Sequence, residues 1–152
     1  MTIKQGERRS PLQYFMNNLI LSQDLLKKII NHCKSVYPNE ACGILAGNDN
    51  VVDKVYEMTN IENSTVSYLM EPKEQFRVMK EMRNSGENMI AIYHSHPHSS
   101  AYPSAKDVKL ATYPDSAYVI VSLADKEKPD IRAFEIIEGE VKDVELMVSG
   151  VD

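Results

Sequence analysis

The chain has 152 residues, of which 43% are hydrophobic and 26% are charged, and its formal net charge is −5. This length and composition are typical of one globular domain with its own core, and the negative charge argues against a nucleic-acid backbone or an anionic membrane as the main partner. The two cysteines, Cys33 and Cys42, form no Cys-x-x-Cys pair, so we expect reduced, buried thiols in a cytoplasmic protein and no disulfide framework.

The N-terminal segment, residues 1–17, is polar apart from a small apolar patch at its end. We predict that it is a flexible tail and that residues 18–152 form a single domain. The first ten residues lack the apolar core of a secretion signal, and no run in the chain approaches the length of a membrane span. The apolar end of the tail could dock on the domain or on a second copy of the chain, which leaves a homodimer open.

The chain alternates between strand-like and helix-like segments without a regular strand-helix-strand repeat. Apolar residues at helical spacing follow Ser22 and predict a helix that ends before Pro38, and the turn at 47–50 predicts a hairpin. The pattern indicates an α/β protein of the α+β type with a mixed, mostly antiparallel sheet flanked by helices. The predicted strands are 18–21, 40–47, 51–58, 68–70, 89–94, 118–123, 131–137 and 141–148, and the predicted helices are 22–37, 72–86 and 104–112.

Three of the four histidines lie within five residues, at the end of the predicted strand 89–94. In an extended chain, residues two apart point to the same side, so His94 and His96 can direct their imidazole rings at one point while Ser95 faces away. Pro97 ends the strand because it has no N–H for a sheet ladder. This pattern predicts that both histidines are ligands of one metal ion, although an isolated His-x-His also occurs by chance.

A helix start follows a short loop after the histidines, with Ser104 at the N-cap and Asp107 three residues later. If the loop folds back over the strand end, Asp107 supplies a third ligand. Two nitrogens and one oxygen with an open fourth position are the arrangement of catalytic zinc, whereas structural zinc sites are closed by four protein ligands. The alternative is that Ser104 and Asp107 form only a capping box. His98 is expected to be a loop residue or an outer-shell group, since a fourth ligand would close the site.

Glu40 places a carboxylate at the start of an otherwise apolar predicted strand. Locally it fits a solvated loop, but a hydrolytic zinc site needs a nearby base that takes a proton from water, and a non-ligand Glu is a common choice. His32 lies just beside the apolar stripe of its helix, where a packing role is expected. The chain has neither a glycine-rich phosphate loop nor a His-Glu-x-x-His helix, so nucleotide binding and the common zinc-protease motif lack support.

Taken together, these residues closely resemble the motif of the JAMM/MPN zinc metalloproteases. That motif is a distant Glu, then His-Ser/Thr-His-Pro, six residues, Ser, two residues and Asp. Every position is matched here, by Glu40, 94–97, Ser104 and Asp107, and a Gly-Ile-Leu run follows Glu40 as in the family. The resemblance extends from about residue 19 to the last strand and implies the family's cytidine-deaminase-like MPN/JAMM fold. The short segments 59–67 and 108–116 resemble the compact prokaryotic branch.

The resemblance implies one catalytic zinc held by His94, His96 and Asp107, with Glu40 as general acid and base in the attack of zinc-bound water. Ser104 would then hold the oxyanion of the tetrahedral intermediate.

Family members cleave after the C-terminal Gly-Gly of ubiquitin-like proteins, and some prokaryotic relatives act on sulfur-carrier proteins, so such a protein is the expected partner. Two other functions stay open: a general zinc peptidase or amidase acting on small peptides, and a non-catalytic MPN-type interaction module.

Overall fold

The computed structural model describes residues 16–150, so most of the predicted tail lies outside the described residues. Met16 and Asn17 are the first residues described, and both are hydrogen-bonded to strands. The Met16 N–H donates to Glu135 Oε2 at 2.8 Å, and the Asn17 carbonyl accepts from the Glu145 N–H at 3.1 Å. None of the helices within residues 16–150 is long and apolar enough to cross a membrane.

The described chain mixes strands and helices without a regular strand-helix-strand repeat, as the sequence predicts. The elements are β1 (Asn18–Ser22), α1 (Gln23–Ser35), β2 (Cys42–Asn48), β3 (Val51–Met58), α2 (Pro72–Ser85), β4 (Asn88–His96), α3 (Ala105–Lys109), β5 (Ala117–Ser122), β6 (Asp130–Ile137) and β7 (Glu140–Ser149).

The strands form one mixed sheet in the order β1-β3-β2-β4-β5-β6-β7, and the sheet closes on itself as a barrel. The pairs β2–β3, β2–β4, β5–β6 and β6–β7 are antiparallel, whereas β4–β5, β1–β7 and β1–β3 are parallel. The predicted α/β class with a mostly antiparallel sheet is therefore confirmed. Closure was not predicted, and it comes from the parallel pairing of β1 with β7, which lie at opposite ends of the described chain.

The two faces of the sheet bury separate hydrophobic clusters, because neighbouring residues in a strand point to opposite faces. Tyr93 on β4 lies in the cluster that contains Ile29 and Cys33 of α1. Ile92 lies in the other cluster, with Val78 and Met82 of α2. The same alternation places His94 and His96 on the α2 face and Ser95 on the α1 face, which fixes where a site at the end of β4 can form.

Capping residues, proline and glycine set the ends of the two long helices. The Ser22 side chain caps α1 by accepting the Leu25 N–H at 3.2 Å. Glu71 caps α2 in the same way, Pro72 occupies its first turn, and Gly86 ends it in the left-handed conformation at φ 75°. Both predicted helices are confirmed in position.

Most predicted ends differ from the structure by one or two residues, and the predicted strand 40–47 begins only at Cys42. Three further differences concern the site. The predicted strand 68–70 is wrong: only Met70 pairs, in a single bridge with Asn60. The Leu69 N–H instead donates to the Asn60 side chain, and Tyr68 stacks on His94. The predicted helix 104–112 ends at Lys109. Strand β4 continues past residue 94 to His96, since β5 runs parallel to it and its last residue, Ser122, lies beside His96.

A substitution at Gly43 tests the close approach of β2 and β4. A Cβ at this position would lie 2.2 Å from the ring of Tyr93. That ring is fully buried and its hydroxyl is hydrogen-bonded to His32 Nδ1 at 2.6 Å, so it cannot move away freely. We expect Gly43→Ala to lower the free energy of unfolding by about 1–3 kcal/mol in urea titrations, the usual cost of overpacking.

The matched control is the same substitution in a Tyr93→Leu background. If the ring is the obstacle, Gly43→Ala costs less there than in the wild type, since contacting residues couple in a double-mutant cycle. Equal costs in both backgrounds would contradict the explanation.

Candidate metal centre and active site

The histidine pair projects from the end of β4 on the α2 face. His94 is 1% exposed and His96 is 4% exposed. Their Nε2 atoms lie 3.1 Å apart, and the rings meet at 62° with centroids 4.9 Å apart. The His96 Nδ1 lies 2.7 Å from the Ser100 carbonyl oxygen. This carbonyl fixes the proton of His96 on Nδ1 and leaves the Nε2 lone pair directed at the point the two histidines share.

The start of α3 brings Asp107 to the same point. Ser104 and Asp107 form a reciprocal capping box: the Asp107 N–H donates to Ser104 Oγ at 3.0 Å, and the Ser104 N–H donates to Asp107 Oδ2 at 2.9 Å. The same Oδ2 lies 3.2 Å from His94 Nε2 and 3.0 Å from His96 Nε2. The cap therefore orients the carboxylate toward the histidines, and the capping and ligand arrangements coexist.

Burial and the short contacts shift the pKa values of His94, His96 and Asp107. Burial lowers the pKa of His94. Burial also acts to lower the pKa of His96, but the hydrogen bonds to Asp107 and Ser100 and the Asp107 charge outweigh it, so the net shift is upward. Burial works against ionisation of Asp107, yet its contacts with both histidines hold its pKa below the ordinary value. Asp107 is consequently ionised at neutral pH and is available as an anionic ligand.

The Nε2 atoms of His94 and His96 and the Oδ2 atom of Asp107 have a spacing that suits a zinc ion. Two imidazole nitrogens and a carboxylate oxygen within 3.2 Å of one another bring several lone pairs to one point, which is favourable only when a cation or a shared proton lies between them. Zinc ligands at about 2.0–2.1 Å in a tetrahedron lie about 3.3 Å from one another. The observed separations of 3.0 to 3.2 Å are close to that spacing.

Glu40 approaches the histidine pair from the start of β2. It is 3% exposed, and it offers a carboxylate oxygen that lies within 4.8 Å of a ring nitrogen of His94 and of His96. Glu40 could therefore also be read as a metal ligand, but the Asp107 Oδ2 is at ligand spacing from both nitrogens. Glu40 fits better as a neighbour of the metal than as one of its ligands.

The Glu40 carboxylate is buried and incompletely hydrogen-bonded. Its Oε1 is buried and has no hydrogen-bond partner within residues 16–150. Burial raises the pKa of Glu40 to about 8, although the nearby His96 acts in the opposite direction. A carboxyl group with a pKa near neutrality can both accept and release a proton at physiological pH.

Ser104 is exposed at the rim of the centre. Its Oγ accepts the Asp107 N–H, and a hydroxyl that accepts one hydrogen bond still has its own proton to donate. The Ser104 hydroxyl is therefore free to act as a donor toward a substrate while it caps α3.

A cleft opens from the centre across the α2 face. Its volume is about 280 Å³, and it is walled by the segment 67–70 on one side and by α3 and the residues after it on the other. Tyr68 stacks on the His94 ring, with centroids 4.7 Å apart and an interplanar angle of 29°. The lining residues are mostly apolar and include Leu69, Leu110, Tyr113, Tyr118 and Ile136, and His94 and Asp107 of the centre are among them. A chain bound in this cleft would therefore lie beside two of the three candidate metal ligands.

The other two histidines contact different groups. His98 is exposed, and its ring packs edge-on against Tyr37 with centroids 5.5 Å apart. His32 is buried in α1, where its Nδ1 is hydrogen-bonded to the Tyr93 hydroxyl. The structure thus brings Glu40, His94, His96, Ser104 and Asp107 together, as the sequence predicts, and gives His98 and His32 packing contacts elsewhere.

Sequence reasoning missed three residues that shape the centre. Tyr68 covers His94, the Ser95 Oγ accepts the Ala41 N–H at 2.8 Å, and Asn60 donates to the Glu40 carbonyl at 3.0 Å. Only Ser95 carried a signal, because a residue between two ligand histidines on a strand must face the opposite side of the sheet. Tyr68 and Asn60 act from a loop whose path has no local signature.

Comparison with known proteins identifies the family. Residues 22–137 match the family described as prokaryotic homologs of the JAB domain. The chain is 39% identical over 125 residues to the CysO-cysteine peptidase of Mycobacterium tuberculosis, covering 81% of this chain and 86% of the relative. It is 32% identical over 123 residues to the "Probable TtuB-protein conjugate cleaving protease" of Thermus thermophilus, covering 80% and 78%.

A solved structure shares the fold. The solution structure of protein DSY2949 from Desulfitobacterium hafniense is 36% identical, with a TM-score of 0.79 over 86% of this chain and 92% of that one. The family match spans most of the chain and both curated relatives are proteases. The chain belongs to the prokaryotic JAB-domain family, the compact branch of the JAMM/MPN proteins, and is a protease of that type.

Proposed function

We propose that this protein is a zinc-dependent peptidase that hydrolyses the bond after the C-terminal Gly-Gly of a ubiquitin-like or sulfur-carrier protein. The observation that carries the proposal is the convergence of the His94, His96 and Asp107 donor atoms beside the buried Glu40 carboxylate, next to a mostly apolar cleft that His94 and Asp107 help to line. Two relatives named for CysO-cysteine and for TtuB conjugates support this substrate class. The two free, buried cysteines support a cytoplasmic location.

The spacing of three donor atoms supports the proposed metal ligands. His94, His96 and Asp107 would hold one zinc, which when bound lowers the pKa of a water molecule to about 7 and polarises the scissile carbonyl. The Ser100 carbonyl keeps His96 in the tautomer that binds through Nε2, and the Tyr68 ring keeps His94 in place by stacking on it. The ligands are thus oriented by their neighbours before any substrate arrives.

Glu40 moves the proton in this proposal. Its unpartnered Oε1 accepts a proton from the attacking water, and the carboxyl group then donates that proton to the nitrogen of the leaving amine. The carbon–nitrogen bond breaks, the carrier keeps its Gly-Gly carboxylate, and Glu40 returns to its starting state. Because Glu40 is buried beside the histidines, both transfers take place where bulk water does not compete.

In this proposal the cleft binds the substrate and the Ser104 hydroxyl donates a hydrogen bond to it. Glycine has no side chain, so a Gly-Gly terminus can pass between Tyr68 and α3, and larger apolar residues before it can occupy the part of the cleft lined by Leu110, Tyr113 and Ile136. The Ser104 hydroxyl donates to the carbonyl oxygen as it gains negative charge. A placed donor of this kind is worth about 3 kcal/mol at such sites.

The proposal is tested with zinc-loaded protein and three substrates: a carrier protein extended by one amino acid after Gly-Gly, the same carrier in isopeptide linkage, and a short free peptide. We expect chelator-sensitive cleavage of at least one carrier substrate after Gly-Gly and little cleavage of the peptide. Cleavage of the peptide alone would favour a general zinc peptidase. Zinc binding without cleavage of any substrate would contradict the proposed activity and favour an interaction module.

Ser104→Gly separates the two roles of this serine. Glycine replaces serine at an N-cap at a cost of a few tenths of a kcal/mol, roughly, but it offers no side-chain donor. We expect zinc content and stability to stay close to wild type while kcat falls about 100-fold, as for other lost oxyanion donors. Single-turnover cleavage of the extended carrier measures the effect.

The matched control is Ser104→Thr, which keeps both the cap and the hydroxyl. This variant should retain most of the activity. A Ser104→Gly enzyme as active as the wild type would leave Ser104 with its capping role alone.

A further inference from the structure

Asn60 uses its whole side-chain amide to hold the loop between β3 and α2. The Nδ2 group donates to the Glu40 carbonyl at 3.0 Å and to the Ser67 carbonyl at 3.1 Å. The Oδ1 atom accepts the Glu62 N–H and the Leu69 N–H, each at 3.0 Å. With two carbonyls on one side and two N–H groups on the other, only one orientation of the amide satisfies all four contacts.

The donor half of this amide acts on the backbone of Glu40. Glu40 precedes β2, so its carbonyl lies outside the sheet ladder and accepts its hydrogen bond from the Asn60 side chain. The Glu40 N–H donates to the Ser64 carbonyl at 2.8 Å, which belongs to the same loop. Both backbone groups of Glu40 are therefore held by the loop that Asn60 closes, while its carboxylate has one oxygen without a partner.

Both halves of the amide also contact the wall of the cleft, the donor half at Ser67 and the acceptor half at Leu69. Ser67 and Leu69, both bonded to Asn60, flank Tyr68, and Tyr68 stacks on His94. Ser67, Tyr68 and Leu69 all line the cleft. A single side chain thus connects the backbone of Glu40 to the residues that a substrate in the cleft would touch.

We propose that Asn60 is a positioning residue. It fixes the position of the Glu40 carboxylate relative to residues 67–69, which form one wall of the cleft. This inference rests on the proposed function, since it assigns Glu40 to proton transfer. A general base that is displaced by about 1 Å loses on the order of 100-fold in rate. The Asn60 side chain bonds to Glu40, Ser67, Glu62 and Leu69 and not to a metal-ligand side chain, so its loss should leave zinc binding intact.

Two substitutions distinguish the loss of the Asn60 donor contacts from the loss of all its side-chain contacts. Asn60→Asp keeps both acceptor contacts, to Glu62 and Leu69, but loses the donors to Glu40 and Ser67. Asn60→Ala loses all four. The matched control is Asn63→Asp, an exposed residue of the same loop with a left-handed φ of 49°, which aspartate tolerates.

The readouts are zinc content, amide hydrogen exchange and steady-state kinetics on the extended carrier. We expect one zinc per chain in every variant and faster exchange of the Glu40 N–H in both Asn60 variants. The Leu69 N–H should exchange faster only in Asn60→Ala. At each variant's own pH optimum, which corrects for a pH profile shifted by the charge that Asn60→Asp adds, kcat should fall about 10- to 100-fold in both. KM should change less in Asn60→Asp than in Asn60→Ala, and Asn63→Asp should behave as wild type.

Several results would overturn the inference. Faster Glu40 exchange with an unchanged kcat would make Asn60 a structural residue only, and a loss of zinc would mean that it acts through the metal. An unchanged Glu40 exchange would remove the physical basis of the proposal. If the wild type cleaves no carrier at all, the proposed function fails, yet the exchange data still decide whether Asn60 holds Glu40.

Discussion

Replacing His96 with alanine is expected to abolish zinc binding and hydrolysis together. The His96 Nε2 lies 3.1 Å from His94 Nε2 and 3.0 Å from Asp107 Oδ2, so its removal leaves a nitrogen and an oxygen that cannot enclose a tetrahedral ion. Loss of an outer-shell partner already costs about 10- to 100-fold in metal affinity, and loss of a ligand should cost more. Zinc content after dialysis and single-turnover cleavage measure the two effects.

His98→Ala is the matched control for this substitution. The change is the same and lies two residues further along the chain, but His98 is exposed and packs against Tyr37. This variant should keep one zinc per chain and most of the activity. Zinc retained in His96→Ala, or lost in His98→Ala, would show that the ligands have been misassigned.

The histidine pair could be predicted because its geometry is local. Side chains in a strand alternate between faces, so the spacing of His94 and His96 alone places both on one side. The helix start at Ser104 is equally local, since a capping box depends on residues three apart. The approach of Asp107 to the histidines required one further assumption, that the loop after Pro97 folds back, and the structure shows that it does.

The features that could not be predicted depend on contacts between distant parts of the chain. Closure of the barrel needs β1 beside β7, and nothing in the sequence of either strand specifies that partner. The segment 68–70 has strand-like residues, but the Asn60 side chain accepts the Leu69 N–H and Tyr68 stacks on His94, so the segment is held beside the centre as a loop. Local propensity therefore predicted the wrong structure where tertiary contacts decide it.

Glu40→Gln is expected to keep zinc and lose hydrolysis. The amide has nearly the same size and shape as the carboxylate, but it cannot accept a proton from water. Proton transfer by a placed side chain contributes about 100- to 10,000-fold, and we expect a loss in that range. The measurements are zinc content and single-turnover cleavage of the extended carrier, with Glu62→Gln as the control, a nearby carboxylate on the loop. Loss of zinc from Glu40→Gln would mean that Glu40 is a ligand.

The same substitution has an effect on stability that does not depend on activity. Burial raises the pKa of Glu40 from its ordinary value of 4.5 to about 8, so between these pH values the folded metal-free chain binds a proton that the unfolded chain releases. Linkage then requires that the folded state lose stability as the pH rises through this window. Urea titrations of the chelator-treated proteins should therefore show Glu40→Gln gaining stability relative to the wild type between about pH 5 and pH 8. A constant difference across that range would mean that Glu40 is ionised in the folded metal-free chain, because only a proton held by the folded state makes the difference depend on pH.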